Sequence, residues 1–472
     1  MNRMFRDPEK AARWLSLTLS LALLKLILYV YDSDPQVFFG DSGSYLTTAL
    51  IKWIPPDRSF IYGFVVRFLT INSHSLNSVV ATQTLAGIGT ALCVAVVLMR
   101  YFQTRFAVAA VIAAAVVLEP QQLMYERFIL TESLSCFFFT LFILLALEYL
   151  KLRKLWPLIV LQIAGIVLVS FRVTFVPAVL AASVMLPFLL LFFVDGKTLP
   201  LSMRGRSLAI HLLVSVGLFT GLHTAYKAWN GSLSDLPPAY SYADGFFLLS
   251  NVSPLVRPGD TDNAVIAGIL QQPLVYGSRP WEWNARNAEM FSPDGLVPKI
   301  QRALKDDYKA NAEARRIARK VILRDPVGFL GLAADSYLKF FSKGYMLDTM
   351  RFEAGMSGLL DDELKLLNRF HLDATELAVH NTITRKYYLA AWPYFILLVH
   401  APLVLLGAMF VVNREARKFL WFLVLIGTLH VAVVQTLGVE PSPRHNHAVA
   451  ILLAIGIGIL AERFTRRQPQ HS

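Results

Sequence analysis

Asp41, Ser42, Ser44 and Tyr45 place a carboxylate, two hydroxyls and a phenol side by side in the stretch Val37-Phe38-Phe39-Gly40-Asp41-Ser42-Gly43-Ser44-Tyr45-Leu46. The stretch follows the first long apolar run almost at once, where a chain leaving a membrane meets water. A carboxylate at that depth can take a proton from a hydroxyl held beside it. Equally, Asp41 or Ser42 can cap a helix running on through Leu50. Later, Leu130-Thr131-Glu132-Ser133-Leu134 sets Glu132 at the mouth of another apolar run. An ionisable group there is costly unless paired, so Glu132 is either functional or, with Thr131, a helix cap. Arg172 lies in the tight turn Ser170-Phe171-Arg172-Val173-Thr174 with no acidic neighbour in sequence. It reaches either ordinary lipid phosphates or the phosphate of a substrate. Arg444, His445, Asn446 and His447 come just before the last apolar run. The unpaired N–H groups of a helix start would reinforce anion binding there, although a single Arg could serve as a plain interfacial anchor.

The elements that must hold these residues are membrane helices. The chain has 472 residues, 55% of them hydrophobic, with a mean hydropathy of +0.49. That excludes an ordinary soluble protein. Apolar windows fall at about 14–31, 78–99, 106–122, 128–149, 155–170, 173–194, 207–228, 387–411, 419–437 and 446–462, about ten spans by length. The net charge of +12 is explained by topology and implies no nucleic acid. Arg3, Arg6, Lys10 and Arg13, then Arg100 and Arg105, then Lys151, Arg153 and Lys154 sit on one set of connections. Lys197, Arg204 and Arg206, then Arg414, Arg417 and Lys418, and finally Arg463, Arg466 and Arg467 continue that set. Positive charge resists translocation, so these connections and both termini are cytoplasmic. An even number of spans requires the same sidedness. Cys93 and Cys136 lie inside apolar runs and read as buried thiols. The first run lacks a small-residue cleavage site, so no cleavable signal is expected.

The opposite face carries the candidate chemistry. Residues 1–228 form an N-terminal membrane module whose first outer loop, 32–77, holds two amphipathic stretches, Ser44–Ile54 and Ser59–Ile71, joined by Pro55-Pro56-Asp57-Arg58. The second is too short to span and suits a helix lying in the interface. Residues 229–386 form a large extracytoplasmic segment between spans seven and eight. Its first half, rich in Gly, Pro, Asn and aromatics, reads as irregular. Its second half reads as a surface helix over Ile300–Leu323, a break at Arg324-Asp325-Pro326, an apolar helix over Val327–Phe341 on the membrane surface, and a charged helix over about Asp361 to Ala378. Residues 387–472 form a C-terminal membrane module. No Gly-rich nucleotide fingerprint and no metal-spaced His cluster is visible. Lys25 and His430 are the ionisable residues that break otherwise clean span centres.

Four pieces, in order and on one side, resemble the GT-C superfamily of membrane glycosyltransferases, nearest the branch of protein O-mannosyltransferases and lipid A aminoarabinose transferases. They are Gly40-Asp41-Ser42-Gly43-Ser44-Tyr45 followed by Pro55-Pro56-Asp57-Arg58-Ser59-Phe60-Ile61-Tyr62; Leu130-Thr131-Glu132-Ser133-Leu134; Arg172; and Arg324-Asp325-Pro326-Val327-Gly328-Phe329-Leu330 with the late Arg444. The family often has a side-by-side acidic pair where Asp41 is followed by Ser42. Asp32-Ser33-Asp34 is the alternative pair nearby, and His445 stands where the family commonly has Tyr.

The resemblance implies an all-α polytopic membrane enzyme using a polyprenyl-phosphate sugar donor and a glycan, lipid or protein acceptor; the compact loops and short tails point to a bacterial inner membrane, whereas a eukaryotic homologue would sit in the endoplasmic reticulum membrane. The resemblance implies Asp41 as base, Tyr45 and Arg58 on the acceptor side, and Arg172, Arg444 and His445 at the donor phosphate. Glu132 would orient the acceptor or, with Asp41, hold an optional divalent cation (Mg2+ or Mn2+). Two other classes fit a chain of this layout. One is a polysaccharide polymerase or O-antigen ligase, which relies on late arginines and a histidine. The other is a transporter or flippase, whose site would lie near the bilayer midplane, where Lys25 and His430 would matter.

Overall fold

Leu17, Leu21 and Lys25 recur at helical spacing on one stripe of the first helix and are its buried residues, while Leu15, Leu19, Leu23 and Leu26 are exposed around it. That is how a helix facing lipid on most sides reads. It belongs to a computed structural model that describes residues 7–38, 41–71, 73, 75–193, 201–272, 283–354, 365, 368, 382–437 and 442–467. Among the described residues, regular structure is helical apart from one parallel bridge between Gln36 and Phe128.

The N-terminal part runs α1 (Pro8–Tyr31), α2 (Asp41–Ile51), α3 (Phe60–Thr70), α4 (Asn77–Tyr101), α5 (Phe106–Val117), α6 (Pro120–Tyr125), α7 (Glu132–Leu152), α8 (Leu155–Phe171), α9 (Val176–Phe193) and α10 (Leu201–Ser234). Caps set several starts. Asp7 accepts from the amides of Glu9 and Lys10 ahead of α1, Ser59 from Ile61 ahead of α3, and Glu119 from Gln122 ahead of α6. Pro8 and Pro120 follow at the first helical position, where a missing N–H costs nothing.

The long middle segment is more ordered than its composition suggests. It forms α11 (Asp244–Val252), α12 (Ala264–Leu270), α13 (Trp283–Phe291), α14 (Leu296–Leu304) and α15 (Asp307–Arg324) around a small core of its own, with Leu249, Ile266, Met290, Ile300 and Ile317 buried. The single helix expected over Ile300–Leu323 is split. Lys305 takes a left-handed conformation (φ 53°) and Asp306 caps α15 by accepting from the amide of Lys309. The expected break at Asp325 is a second cap, accepting from Gly328 at the start of α16 (Pro326–Lys339). Then follow α17 (Lys343–Glu353), α18 (Ile383–Ala390), α19 (Trp392–Val399), α20 (Ala401–Met409), α21 (Arg414–Leu437) and α22 (Val449–Arg467). The charged helix expected over Asp361 to Ala378 lies outside the described residues, 365 and 368 excepted.

Among the described residues, six helices are long and apolar enough to cross a membrane: α1, α4, α7, the Val173–Leu190 stretch, Gly205–Ser234 in α10, and α21. The chain is a polytopic membrane protein. A seventh span results if α19 and α20 are counted together; they bend by 56° at His400, with Pro402 removing a backbone donor just beyond. The other expected spans correspond to α5 and α8, which are shorter, and to α22, whose last turns carry Glu462, Arg463 and Arg466. Among the described residues, length and composition alone qualify six or seven helices as spans; α5, α8 and α22 fall outside that test.

Lys25 is a strut. Its Nζ bonds both oxygens of Glu126 at 2.7 and 2.8 Å, and Arg127 adds a contact at 3.2 Å. Gln122 donates to the same carboxylate at 2.8 Å. Gly87 of α4 leaves the room: a Cβ there would sit 2.0 Å from Glu126 Oε1. His430, the other interior ionisable residue, donates through Nε2 to the carbonyl of His445 at 3.1 Å and stacks on Phe175. Removing one member of a buried ion pair strands the other and costs about 3–5 kcal/mol. Lys25→Met is therefore expected to lower the thermal midpoint of the detergent-purified chain by several degrees; an unchanged midpoint would show that the pair does not hold α1 in place.

Candidate functional site

Asp41 begins α2, and the chain before it is tied down by Ser42. The Ser42 hydroxyl accepts from the amide of Phe38 at 2.8 Å and donates to the carbonyl of Ile129 at 2.9 Å. The bridge beside it pairs the Gln36 amide with the Arg127 carbonyl (2.8 Å) and the Ile129 amide with the Gln36 carbonyl (2.9 Å). The connection between α1 and α2 is thereby laced to the segment that opens α7 at Glu132. Gln83 of α4 holds that segment from behind. Its amide nitrogen donates to the carbonyls of Glu126 (3.0 Å) and Phe128 (2.9 Å), and its oxygen accepts from the Tyr62 hydroxyl at 2.9 Å. Ser59, which caps α3, also donates to the Ser170 carbonyl. That contact sets Arg58 and Arg172 at one place.

Six charged side chains meet there. Each oxygen of Asp41 is taken by a different guanidinium: Oδ1 by Arg58 Nη1 and Oδ2 by Arg444 Nη2, both at 2.5 Å. Arg58 is paired with Asp57 as well. Arg444 continues through Nε to Glu132 Oε1, which Arg172 Nη1 also reaches at 3.1 Å. Arg444 lies over the Phe38 ring, 4.5 Å from its centroid. Glu132 is wholly buried, while the Asp41 side chain keeps 24% of its surface exposed. Asp57, Arg58, Asp41, Arg444, Glu132 and Arg172 thus form one chain of ion pairs, three cations against three anions. Burial would raise the Asp41 carboxyl, but Arg58 and Arg444, with Arg172 behind them, outweigh it and hold it at about 2.

The candidates from the sequence come together unevenly. Asp41, Glu132, Arg58, Arg172 and Arg444 share the cluster. Arg58 is a direct partner of Asp41. Tyr45 is buried under α2, its ring 4.8 Å from that of Tyr62 in an edge-on contact. Burial, then the Asp41 charge, raises its phenol, so it packs the floor of the site as a neutral group. His445 offers its carbonyl to His430. Burial first, then Arg172 and Arg444, push its imidazole well below the ordinary value, so it adds no positive charge. Asp32 and Asp34 border a separate depression with Thr382 and Ile383 and take no part in the cluster.

Glu353 is the residue the sequence does not signal. It is buried at the end of α17, bonds the Tyr388 hydroxyl at 2.5 Å, and accepts from Ser442 and from the Arg444 amide at 3.4 Å. It thereby fixes the 3-10 turn Pro443–Asn446 that carries Arg444. Burial raises its carboxyl, opposed by those bonds. Nothing local in Phe352-Glu353-Ala354 predicts this; the partners lie 35 and 89 residues away.

A divalent cation does not suit this donor set. Asp41 and Glu132 are already matched by three guanidiniums, and among the described residues no group of three or more His, Cys, Asp or Glu side chains is placed to hold a metal. Chemically, the arrangement offers one carboxylate near the surface and three guanidiniums able to trade carboxylate partners for a phosphate.

No protein-family profile matches the chain, and no curated protein matches it. Among solved structures, the crystal structure of ArnT from Cupriavidus metallidurans in the apo state is similar at 15% identity, covering 95% of this chain and 78% of that one, with a TM-score of 0.31. A likeness at that level assigns no activity to the chain.

Proposed function

We propose that the chain transfers a sugar from a polyprenyl-phosphate-linked donor to an acceptor hydroxyl at the extracytoplasmic face of the membrane, with inversion at the anomeric carbon. The observation that carries this reading is the Arg444 guanidinium shared between Asp41 and Glu132. It puts a proton acceptor and phosphate-binding cations within one side chain's reach. Asp41 takes the proton of the acceptor hydroxyl as that oxygen attacks the anomeric carbon. The bond from that carbon to the phosphate oxygen breaks, and the lipid phosphate leaves with the electron pair. Arg172 and Arg444 stabilise its growing charge. Glu132 keeps both guanidiniums aimed, and no step needs a metal.

The resting cluster is poorly suited to catalysis, which explains its logic. A carboxylate held at about 2 is a weak base for a hydroxyl. A donor phosphate competes with Asp41 for Arg444 and Arg58. As those bonds shift to the phosphate, the Asp41 carboxylate loses its two partners and becomes more basic. The donor therefore activates the base.

Three outcomes test this with purified chain and a panel of polyprenyl-phosphate sugars. Asp41→Asn, folded and inserted, loses about 10²–10⁴-fold of transfer; full transfer by that variant sinks the reading. Arg444→Ala costs about 2.7–4 kcal/mol of barrier, seen in kcat at saturating donor; a change in donor KM alone would show a binding role only. The third outcome is pH dependence. In the free enzyme Asp41 stays ionised until pH falls towards about 2, so kcat/KM for the donor shows no acid limb from this group above pH 4. In the donor complex the carboxyl rises, so kcat gains an acid limb at higher pH than kcat/KM. Superimposable profiles would mean that the arginines do not let go.

A further inference from the structure

The cations at the other end of the helices gather as well. Gln83 and Arg100 are separated by about 25 Å along α4, and Glu132 and Lys151 by about 28 Å along α7, at 1.5 Å per residue. The far ends of α4, α7 and α22 therefore lie on the membrane face opposite the Asp41 cluster. There a cavity of about 280 Å3 is lined by Arg100, Lys151, Lys418, Arg463 and Arg466, with Glu415 and Glu462 as its carboxylates. Five cations face two anions. They come from four helix ends distant in sequence: the end of α4, the end of α7, the start of α21 and the end of α22. A preference for positive charge on one side of a membrane explains why each connection is basic. It does not require four of them to converge on one concavity.

The walls are prearranged. Arg100 is held by Glu148 at 2.8 and 2.6 Å, and the Tyr101 hydroxyl shares that carboxylate at 2.6 Å. Lys151 donates to the Arg100 carbonyl at 3.0 Å and lies over the Tyr101 ring. Arg466 is held by Glu462 at 2.7 Å. Arg463 is exposed and pairs with no carboxylate among the described residues. One further observation points to a ligand. Thr104 lines the cavity and is 6% exposed, yet its hydroxyl has no hydrogen-bond partner among the described residues. A buried hydroxyl left unpaired costs free energy that a bound acceptor would recover.

We propose that this cavity binds a phosphate group on the face opposite the Asp41 cluster, that of an anionic phospholipid headgroup, with Lys418 and Arg463 supplying charge and Thr104 donating a hydrogen bond. Basic pockets between membrane helices recognise such headgroups by the same combination. The site is separate from the proposed transfer chemistry and does not depend on it.

Native mass spectrometry of the full chain in detergent, with phosphatidylglycerol or phosphatidylcholine added, tests the assignment. One phosphatidylglycerol is expected to be retained at least tenfold more tightly than phosphatidylcholine. Lys418→Gln/Arg463→Gln should weaken it about tenfold. Thr104→Val, which leaves every charge in place, should weaken it about threefold and decides the matter if the double variant does not fold. Millimolar inorganic phosphate should compete. Phosphate binding that needs Lys418 and Arg463, without lipid retention, would keep the anion site and assign it to a soluble phosphate. Equal retention of the two lipids, or variants that bind phosphatidylglycerol and phosphate as the wild type does, would overturn it.

Discussion

Glu132 has no solvent-exposed side-chain surface, and a lone carboxylate in that position would cost several kcal/mol. Its compensation comes from two arginines that are far away in sequence, Arg172 forty positions on and Arg444 another 272 beyond that, 312 from Glu132 itself. The turn after α8 and the turn before α22 must therefore both close on the start of α7. Once Arg444 is there, its Nη2 meets Asp41 and joins the connection between α1 and α4 to the same knot. The supports are consistent with that demand. Ser42, Gln83, Ser59 and Glu353 each hold one strand of the knot by backbone or side-chain bonds, and each is buried.

What can be read from the sequence follows from how local the physics is. Apolar run length depends on neighbours in the chain, so the helical windows are visible in it. Whether a twelve-residue helix such as α5 crosses a bilayer depends on what packs round it, which no window reports. The same distinction separates the charged residues. Glu132 and Arg444 stand out because an ionisable group beside an apolar run demands a partner. The identity of that partner is a property of the fold. Lys25 is a case in point: alone in a span it suggests transport, yet Glu126, 101 positions away, answers it. Glu353 fails in the opposite sense, because it lies in no apolar run long enough to make its charge conspicuous. His445 reads as a cation beside Arg444, yet burial, with Arg172 and Arg444 adding to it, suppresses its charge.

The middle segment teaches a similar lesson about turns. Pro, Gly and Asn mark where helices cannot continue, but not whether short helices pack between the marks. Here they do, around Leu249, Ile266 and Ile317. Through α15 and α16 the chain is then led back to α21, with Ser336 reaching Gln435 at 3.4 Å. From there α17 delivers Glu353 to the turn that carries Arg444. A middle region without any residue in the ion-pair cluster thereby decides where the last arginine stands.

The parallel bridge between Gln36 and Phe128 has a mechanical consequence. It fastens the backbone before Asp41 to the backbone before Glu132, so the two acids form a fixed rail. The guanidiniums are of another kind: each ends a side chain with four rotatable torsions, and Arg58 and Arg172 stand on short connections between helices. Displacement within the knot is thus apportioned unevenly, with Asp41 and Glu132 belonging to the scaffold and the guanidiniums to swinging arms.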